Sequence, residues 1–147
     1  MKNFLFLPLI FMIACNQFSP NLKNMEKLEE INDIKDFKWI SRVLLVKNHN
    51  SLLEQIKENE KNILERDLII IVIKDNTAHL KKNILSDYFY NSLAGKLQYM
   101  DSINELVLIG LDGRVKKVYQ KDTDLNVIFS DIDKMPMRIN ETKNNNL

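Results

Sequence analysis

Two apolar runs, Arg42-Val-Leu-Leu-Val-Lys47 and Leu68-Ile-Ile-Ile-Val-Ile73, decide the fold of this chain. Short continuous apolar runs that are rich in β-branched residues and bounded by polar turns predict buried strands. The segment between them carries apolar residues at helical spacing after a Ser51-x-x-Glu54 capping box, which predicts a helix. A strand, a helix and a second strand of these lengths predict a parallel βαβ unit with helices on both faces of its sheet.

The segments that follow predict a second helix and an antiparallel pair of strands. Apolar residues recur at helical spacing from Leu80 to Leu93, and Gly95 is expected to end or loosen that helix. Leu106-Val-Leu-Ile109 predicts a third buried strand. The dipeptide Asp112-Gly113 predicts a tight hairpin turn into a fourth strand, because glycine tolerates a positive φ.

The last predicted element is a helix. Its cap is expected to be Asp122, Thr123 or Asp124, and Pro136 prevents it from continuing. The polar segment from residue 139 to residue 147 is expected to be a disordered tail. The order β-α-β-α-β-β-α predicts a single α/β domain over residues 39–138. Its three layers are built around a mixed four-stranded sheet.

The amino-terminal segment predicts export and a lipid anchor. Lys2 precedes an apolar run that ends at Ala14, and this run is shorter than the roughly 20 residues of a membrane-spanning helix. Met12-Ile-Ala-Cys15 resembles the cleavage site of bacterial lipoproteins. We therefore expect residues 1–14 to be a lipoprotein-type signal peptide and residues 15–38 to comprise the lipidated Cys15, a tether and a short helix.

These features predict a protein of the bacterial cell envelope that a lipid on Cys15 holds to a membrane on the periplasmic side. The alternative is an ordinary secretory signal cut near Ala14, which would release a soluble protein. The chain carries 21 basic and 20 acidic residues, without a basic stripe. Binding to nucleic acid requires clustered positive charge, so this balance argues against a nucleic-acid partner.

Three segments resemble the peroxiredoxin-like domain of unknown function called P-DUDES. This family occurs in bacterial proteins and in extracellular sushi-repeat and coiled-coil-domain proteins of animals. The resemblance implies a thioredoxin-like fold, whose minimal element order is the one predicted above, and it implies no settled reaction. The segments are Trp39-Ile-Ser-Arg-Val-Leu-Leu-Val46, Val107-Leu-Ile-Gly-Leu-Asp-Gly-Arg-Val-Lys116 and Ile132-Asp-Lys-Met-Pro-Met-Arg138.

The residues that thioredoxin-type chemistry requires are missing. Such enzymes hold a thiolate in the turn after the first strand, which is Asn48-His-Asn-Ser51 here, and a cis-proline ahead of the third strand. Cys15 is the only cysteine, and no proline lies between Gln98 and Glu105. We therefore expect no disulfide exchange in the mature domain and no enzymatic activity. Ser51 as a nucleophile with His49 as its base is the alternative, but the capping box already explains the serine.

Trp39, Arg42 and Arg138 allow two interpretations. They form either a patch that binds a carboxylate, a glycan or a peptide, or a structural cluster. In the second interpretation Trp39 covers an edge of the core, and the arginines pair with acids such as Asp133 or Glu141. We favour the structural interpretation, because arginine stems and tryptophan rings commonly cover apolar surface.

Two further sets of residues are expected to be structural. Met135-Pro136-Met137 is predicted to be a packed helix exit. His49 and His79 lack the spacing of metal ligands, and no metal or cofactor is expected.

The sequence thus predicts a membrane-anchored, non-catalytic thioredoxin-like domain that binds or scaffolds another envelope protein or a small polar ligand. Two alternatives remain: an enzyme with non-thiol chemistry at His49 and Ser51, and a purely structural module.

Overall fold

The computed structural model describes residues 31–47 and 50–144, which form a mixed sheet with helices on both faces. The strands are β1 (Arg42–Lys47), β2 (Leu68–Lys74), β3 (Thr77–Leu80), β4 (Asn83–Ile84), β5 (Asn104–Ile109) and β6 (Val115–Gln120). The helices are a 3-10 helix (Ile34–Phe37), α1 (Asn50–Glu58), α2 (Glu60–Leu64), α3 (Asp87–Ser92), α4 (Ala94–Leu97), α5 (Leu125–Asp133) and α6 (Pro136–Asn144).

The predicted βαβ unit is confirmed. Strands β1 and β2 pair in parallel, with Arg42 opposite Leu68. The helical segment between them begins at Asn50 and is divided at Asn59 into α1 and α2. The side chain of Asn59 donates to the carbonyl oxygen of Gln55 at 2.9 Å and competes there for a helical acceptor. Such local bonds are why asparagine is unfavourable inside a helix.

The α/β class and the mixed sheet are confirmed, but the number of strands is six and not four. The sheet has the order β4-β3-β2-β1-β5-β6. Strand β5 runs antiparallel to β1, and β6 runs antiparallel to β5. The four predicted strands are therefore the neighbours β2, β1, β5 and β6, and the hairpin β3–β4 extends the sheet beyond β2.

The hairpin replaces the first part of the predicted second helix. Asp75 and Asn76, which join β2 to β3, both have positive φ, 47° and 59°, as in the tight turns that connect antiparallel strands. Ala78 and Leu80 of β3 are buried together with Leu85. The spacing of Leu80 and Leu85 also fits a helix, which is why the sequence predicted one here. The helix itself starts later, at Asp87, where the hydroxyl of Ser86 accepts from the amide of Phe89.

Alternate residues of β1 separate the core into two halves. Val43 and Leu45 face the side covered by the 3-10 helix and α3, whereas Leu44 and Val46 face the side covered by α1 and α5. All four side chains are buried. Burial on both faces is what the continuous apolar run predicted.

The prediction of a disordered tail from residue 139 was wrong for residues 139–144, which belong to α6. Pro136 occupies the first position of this helix, where its fixed φ and missing amide hydrogen cost nothing. Arg138 is the one buried residue within α6. Ion pairs, described below, therefore contribute much of what holds this helix against the domain.

Candidate functional site

The arginine predicted at the start of β1 is fully buried. The side chain of Arg42 is 1% exposed, and its Nη2 donates to Oε1 of Glu141 on α6 at 2.8 Å. Its Nη1 donates to the carbonyl oxygen of Arg66 at 2.9 Å. Both ends of the guanidinium group are thus used to join α6 and the start of β2 to the first strand.

Arg138 extends this cluster through the same carboxylate. Its Nη1 lies 3.4 Å from Oε2 of Glu141, and its Nε lies 3.6 Å from Oδ1 of Asp133. Oδ2 of Asp133 accepts from Arg66 at 2.6 Å. The predicted pairing of the arginines with Asp133 and Glu141 is confirmed. Within the described residues this network links β1, α5 and α6, and we call it the arginine network (Arg42, Arg66, Asp133, Arg138 and Glu141).

The arginine network is held together by its own ion pairs, and two of its members, Arg66 and Asp133, also line a surface groove of about 370 Å³. Three arginines share two carboxylates, and in the described part of the chain the buried Nε atoms of all three arginines have no hydrogen-bond partner. Breaking a buried ion pair leaves an uncompensated charge and commonly costs a few kcal/mol, about 3–5 in fully buried cases. The burial of Arg42 also keeps its guanidinium group from a ligand in solution.

Trp39 does not cover the core, so that prediction was wrong. Its side chain is 62% exposed, and its backbone has a φ of 65°. The backbone amide of Trp39 donates to the carbonyl oxygen of Leu111 at 2.7 Å, which fixes this unusual conformation. The core edge is instead closed by Phe37, whose ring meets that of Phe89 edge to face at a centroid distance of 6.1 Å.

Asp112 and Gly113 form the predicted turn between β5 and β6. Gly113 has a φ of 75°, and its amide donates to the carbonyl oxygen of Gly110 at 2.9 Å. Burial would raise the pKa of Asp112. The hydrogen bonds from Lys116 at 2.7 Å and from the amide of Arg114 at 3.1 Å outweigh burial and lower the pKa below its usual value. The hydrogen bonds within the turn therefore give both Asp112 and Gly113 a structural role.

Met135 and Pro136 lie where α5 ends and α6 begins. Met135 packs in part against the core below α5, and its carbonyl oxygen accepts from the amide of Ile139 at 3.0 Å. Pro136 is exposed at the start of α6. The predicted packed helix exit is therefore correct for Met135. Met137 is 40% exposed.

A groove of about 410 Å³ lies at the opposite end of the sheet, outside the carboxyl ends of β1 and β2. In α/β sheets, ligands bind in the crevice outside the carboxyl ends of the parallel strands. We call this the carboxyl-end groove. Its lining consists of Lys47, Ile73, Lys74, Asp75, Asn76, Tyr90, Leu97, Met100 and Glu105.

The carboxyl-end groove combines an apolar wall with fixed polar groups. Leu97 and Met100 pack against the core on one side. Lys47 Nζ donates to the carbonyl oxygen of Asp101 at 2.5 Å, and the hydroxyl of Tyr90 donates to Oδ1 of Asn76 at 3.2 Å. Two lysines and two carboxylates give the lining no net charge. This arrangement suits an amphipathic group that offers both apolar surface and hydrogen bonds.

Several predicted residues lie outside what the structure describes. Cys15 and His49 are not among the described residues, and the description of side chains within α1 starts at Leu52, after Ser51. The anchor and the His49–Ser51 alternative therefore remain predictions. Over residues 31–47 and 50–144, no group of three or more acidic, histidine or cysteine side chains has the arrangement of a metal site. None of the helices in these ranges is long and apolar enough to cross a membrane.

Sequence reasoning missed the carboxyl-end groove and Arg66. The groove is lined by the turn that joins β2 to the unforeseen strand β3, by α3 and α4 with the residues that follow α4, by the last residue of β1 and by the start of β5, which no local pattern brings together. Arg66 had one available signal, because it lies two residues before the buried run that begins at Leu68. Its guanidinium group lies 4.6 Å from the ring centroid of Phe129, a contact between residues that are distant in sequence.

Comparison with known proteins identifies the family. A family model described as "Domain of unknown function (DUF4174)" matches residues 33–141, and the chain belongs to this family. No curated protein and no solved structure shows a significant match. The matched segment begins just before the 3-10 helix and ends at Glu141, so it contains the whole sheet and every member of the arginine network.

Proposed function

We propose that this member of the DUF4174 family is a membrane-anchored, non-catalytic domain of the bacterial cell envelope that binds another envelope component. Lipid on Cys15 anchors the chain to the membrane on its periplasmic side, and the carboxyl-end groove holds the partner. The element order supports a thioredoxin-like fold of the P-DUDES type, since it contains the minimal pattern, with the hairpin β3–β4 inserted after β2, the 3-10 helix before β1 and α6 at the end. The alternative is that an ordinary secretory signal is cleaved near Ala14, which would release a soluble protein.

The position of the groove carries the proposal. Lys47, the last residue of β1, lines it, and the turn that follows is where a thioredoxin-type enzyme keeps its thiolate. Cys15 is the sole cysteine of the chain, so this domain retains the cleft without the thiol. A cleft at the ligand-binding end of the sheet that lacks its nucleophile favours binding over disulfide chemistry.

The lining indicates what the partner presents. Leu97 and Met100 offer apolar contact, and methionine adapts to ligands of irregular shape. Lys74 and Glu105 can pair with either sign of charge at the rim. We therefore propose a short amphipathic protein segment as the bound group, with one apolar side chain between two polar ones. A small polar ligand with the same features is the second possibility.

Photocrosslinking in cells tests the binding site directly. A photoreactive phenylalanine analogue replaces Tyr90, which lines the groove, or Tyr88, which is 74% exposed and not part of the groove lining. The two positions lie in the same helix and carry the same residue type. We expect a discrete crosslinked product from position 90, and none of the same mass from position 88.

A second substitution makes this experiment specific. Lys74→Glu changes the charge at the groove rim at an exposed position, so the domain should stay folded while the crosslink from position 90 weakens. Lys82→Glu makes the same change at another exposed position outside the groove lining and serves as the matched control. Identical products from positions 88 and 90, or a crosslink that neither charge change affects, would contradict binding in the groove.

Activity assays test the non-catalytic part of the proposal. The chain from residue 16 onward should show no reduction of protein disulfides and no consumption of peroxide above a buffer blank. Sustained turnover in either assay would overturn it. The His49–Ser51 hypothesis requires a hydrolytic or transfer activity that is lost in both His49→Ala and Ser51→Ala.

A further inference from the structure

Two large apolar side chains stand exposed side by side just before the first strand. Trp39 is 62% exposed and Ile40 is 48% exposed, whereas the next residue, Ser41, is buried. A positive φ is rare for a bulky residue and carries a strain of about 1–3 kcal/mol. At Trp39 the φ is 65°, and this backbone turn separates the exposed pair from the buried strand.

The surrounding contacts hold this pair in place. The amide of Trp39 donates to the carbonyl oxygen of Leu111, and the amide of Ile40 donates to the carbonyl oxygen of Phe37 at 3.0 Å. Phe37 is itself buried against Phe89. These contacts hold the turn that carries the two exposed side chains against the core.

A basic side chain accompanies the indole. Lys38 Nζ lies 5.6 Å from the ring centroid of Trp39. Tryptophan and lysine both have an apolar body and a polar end, and they are typical of the level of the membrane where headgroups meet acyl chains. Within residues 33–38, Lys35 and Lys38 are offset by Asp33 and Asp36.

The chain that precedes this turn limits its distance from the anchor. Residues 16–30 separate Cys15 from Ile31, and even a fully extended chain of this length spans at most about 55 Å. Two apolar side chains bind a bilayer weakly on their own. Attachment at Cys15 makes their contact with the same bilayer intramolecular, so a weak affinity suffices.

We propose that Trp39 and Ile40 insert into the headgroup region of the membrane to which Cys15 attaches the chain. This inference rests on the proposed anchoring. The inserted pair precedes β1, whereas the carboxyl-end groove lies beyond its other end, about 20 Å away for a strand of this length. Docking through this pair directs the groove away from the bilayer, where an envelope partner can reach it.

The unique cysteine and the unique tryptophan allow a direct test. The chain from Cys15 onward is coupled through its thiol to a maleimide phospholipid in phosphatidylcholine vesicles, which replaces natural lipidation. Trp39 emission is then recorded with and without brominated phosphatidylcholine. We expect a blue shift and about twofold quenching in the coupled sample, because an inserted ring would lie at the boundary of headgroups and acyl chains, within reach of the bromine atoms. The uncoupled chain should show much less of both.

Matched variants identify the surface. Ile40→Asn should remove most of the quenching, and the smaller change Ile40→Ala should give an intermediate loss. Ile84→Asn is the control, because Ile84 is 68% exposed and lies on β4 at the far edge of the sheet. It should leave the signal unchanged.

The outcomes separate this inference from the anchoring on which it rests. Equal emission and quenching in coupled and uncoupled samples would overturn insertion, and so would equal effects of Ile40→Asn and Ile84→Asn. Circular dichroism verifies that each variant is folded. Because the coupling is chemical, failure of lipidation in cells would defeat the anchor proposal without altering this result.

Discussion

Glu141 and Arg42 lie 99 residues apart in sequence and form an ion pair of 2.8 Å that joins the last described helix to the first strand. The arginine side chain is 1% exposed and that of the glutamate is 27% exposed. Because α6 buries little apolar surface, this pair contributes much of the attachment of α6 to the domain. Through this ion pair, the polar helix α6 belongs to the folded domain.

Glu141→Gln should destabilise the domain by about 1–2 kcal/mol. The amide oxygen can still accept from Arg42, but the charge that balances two buried guanidinium groups is lost. Urea denaturation should show a lower midpoint with an unchanged slope. Glu65→Gln is the control, because the Lys61–Glu65 pair is 3.9 Å long and exposed, and it should change stability by less than about 0.5 kcal/mol. Equal effects of the two substitutions would show that the Arg42–Glu141 pair adds nothing.

As the pH falls into the acid range, the wild type should lose stability more steeply than the variant Asp131→Asn. The hydrogen bond from Lys117 at 2.7 Å and that from the Tyr119 hydroxyl at 3.0 Å lower the pKa of this carboxyl, although burial opposes them. A lowered folded-state pKa stabilises the protein above the unfolded-state value near 3.9. That contribution is lost as the pH falls through the folded-state pKa.

The Asp131 prediction is measured by urea denaturation at several pH values between about 7 and 3. The difference in unfolding free energy between wild type and Asp131→Asn should shrink as the pH falls below about 4. It should stay under about 1 kcal/mol at neutral pH, because Lys117 is half exposed. A difference that is constant across this range would contradict the assignment.

Gly113→Ala should destabilise the domain by about 1 kcal/mol, because alanine disfavours the φ of 75° that this turn requires. A Cβ there would meet only ordinary contacts with Lys38, the nearest at 3.7 Å, so the cost arises from the backbone. Gly95→Ala is the matched control. Gly95 lies in α4 with no atom within 4 Å of the added Cβ, and alanine should stabilise the helix slightly. Thermal unfolding that ranks the two substitutions in the opposite order would contradict this account.

Trp39→Asn should leave stability unchanged or raise it by up to about 1 kcal/mol. Asparagine tolerates a positive φ better than tryptophan, and an exposed ring contributes little packing. The midpoint of thermal unfolding measures this. A clear fall would mean that the ring supports the fold, which would weaken the argument that Trp39 is displayed for membrane contact.

Cys15→Ala should abolish lipid attachment. Cells labelled with a fatty-acid analogue should incorporate label into the wild type and not into the variant, and the variant should leave the membrane fraction. Ser19→Ala, a similarly small change after the cysteine, is the control and should retain the label. Equal labelling of wild type and Cys15→Ala would contradict lipidation and favour the secreted alternative.

Local sequence patterns correctly predicted the elements that depend on interactions between neighbouring residues. The Asp112-Gly113 turn depends on one positive φ, and the cap of α5 depends on Asp124, whose side chain accepts from the amide of Asn126 at 2.7 Å. The segment from Leu80 to Leu93 shows where such patterns fail. Leu80 is buried from β3 and Leu85 from the segment that follows β4, and their spacing alone cannot distinguish this arrangement from a helix.

The sequence by itself determined the α/β class, the parallel pair β1–β2, the hairpin β5–β6 and the absence of a thiol from the folded domain. These follow from runs and turns of a few residues, and from composition. The tertiary structure alone decided that Trp39 is exposed, that Arg42 is buried and paired with Glu141, and that a groove lies beyond Lys47. Each of these depends on segments that are distant in sequence meeting in space, and the energy of such contacts is not encoded in any local pattern.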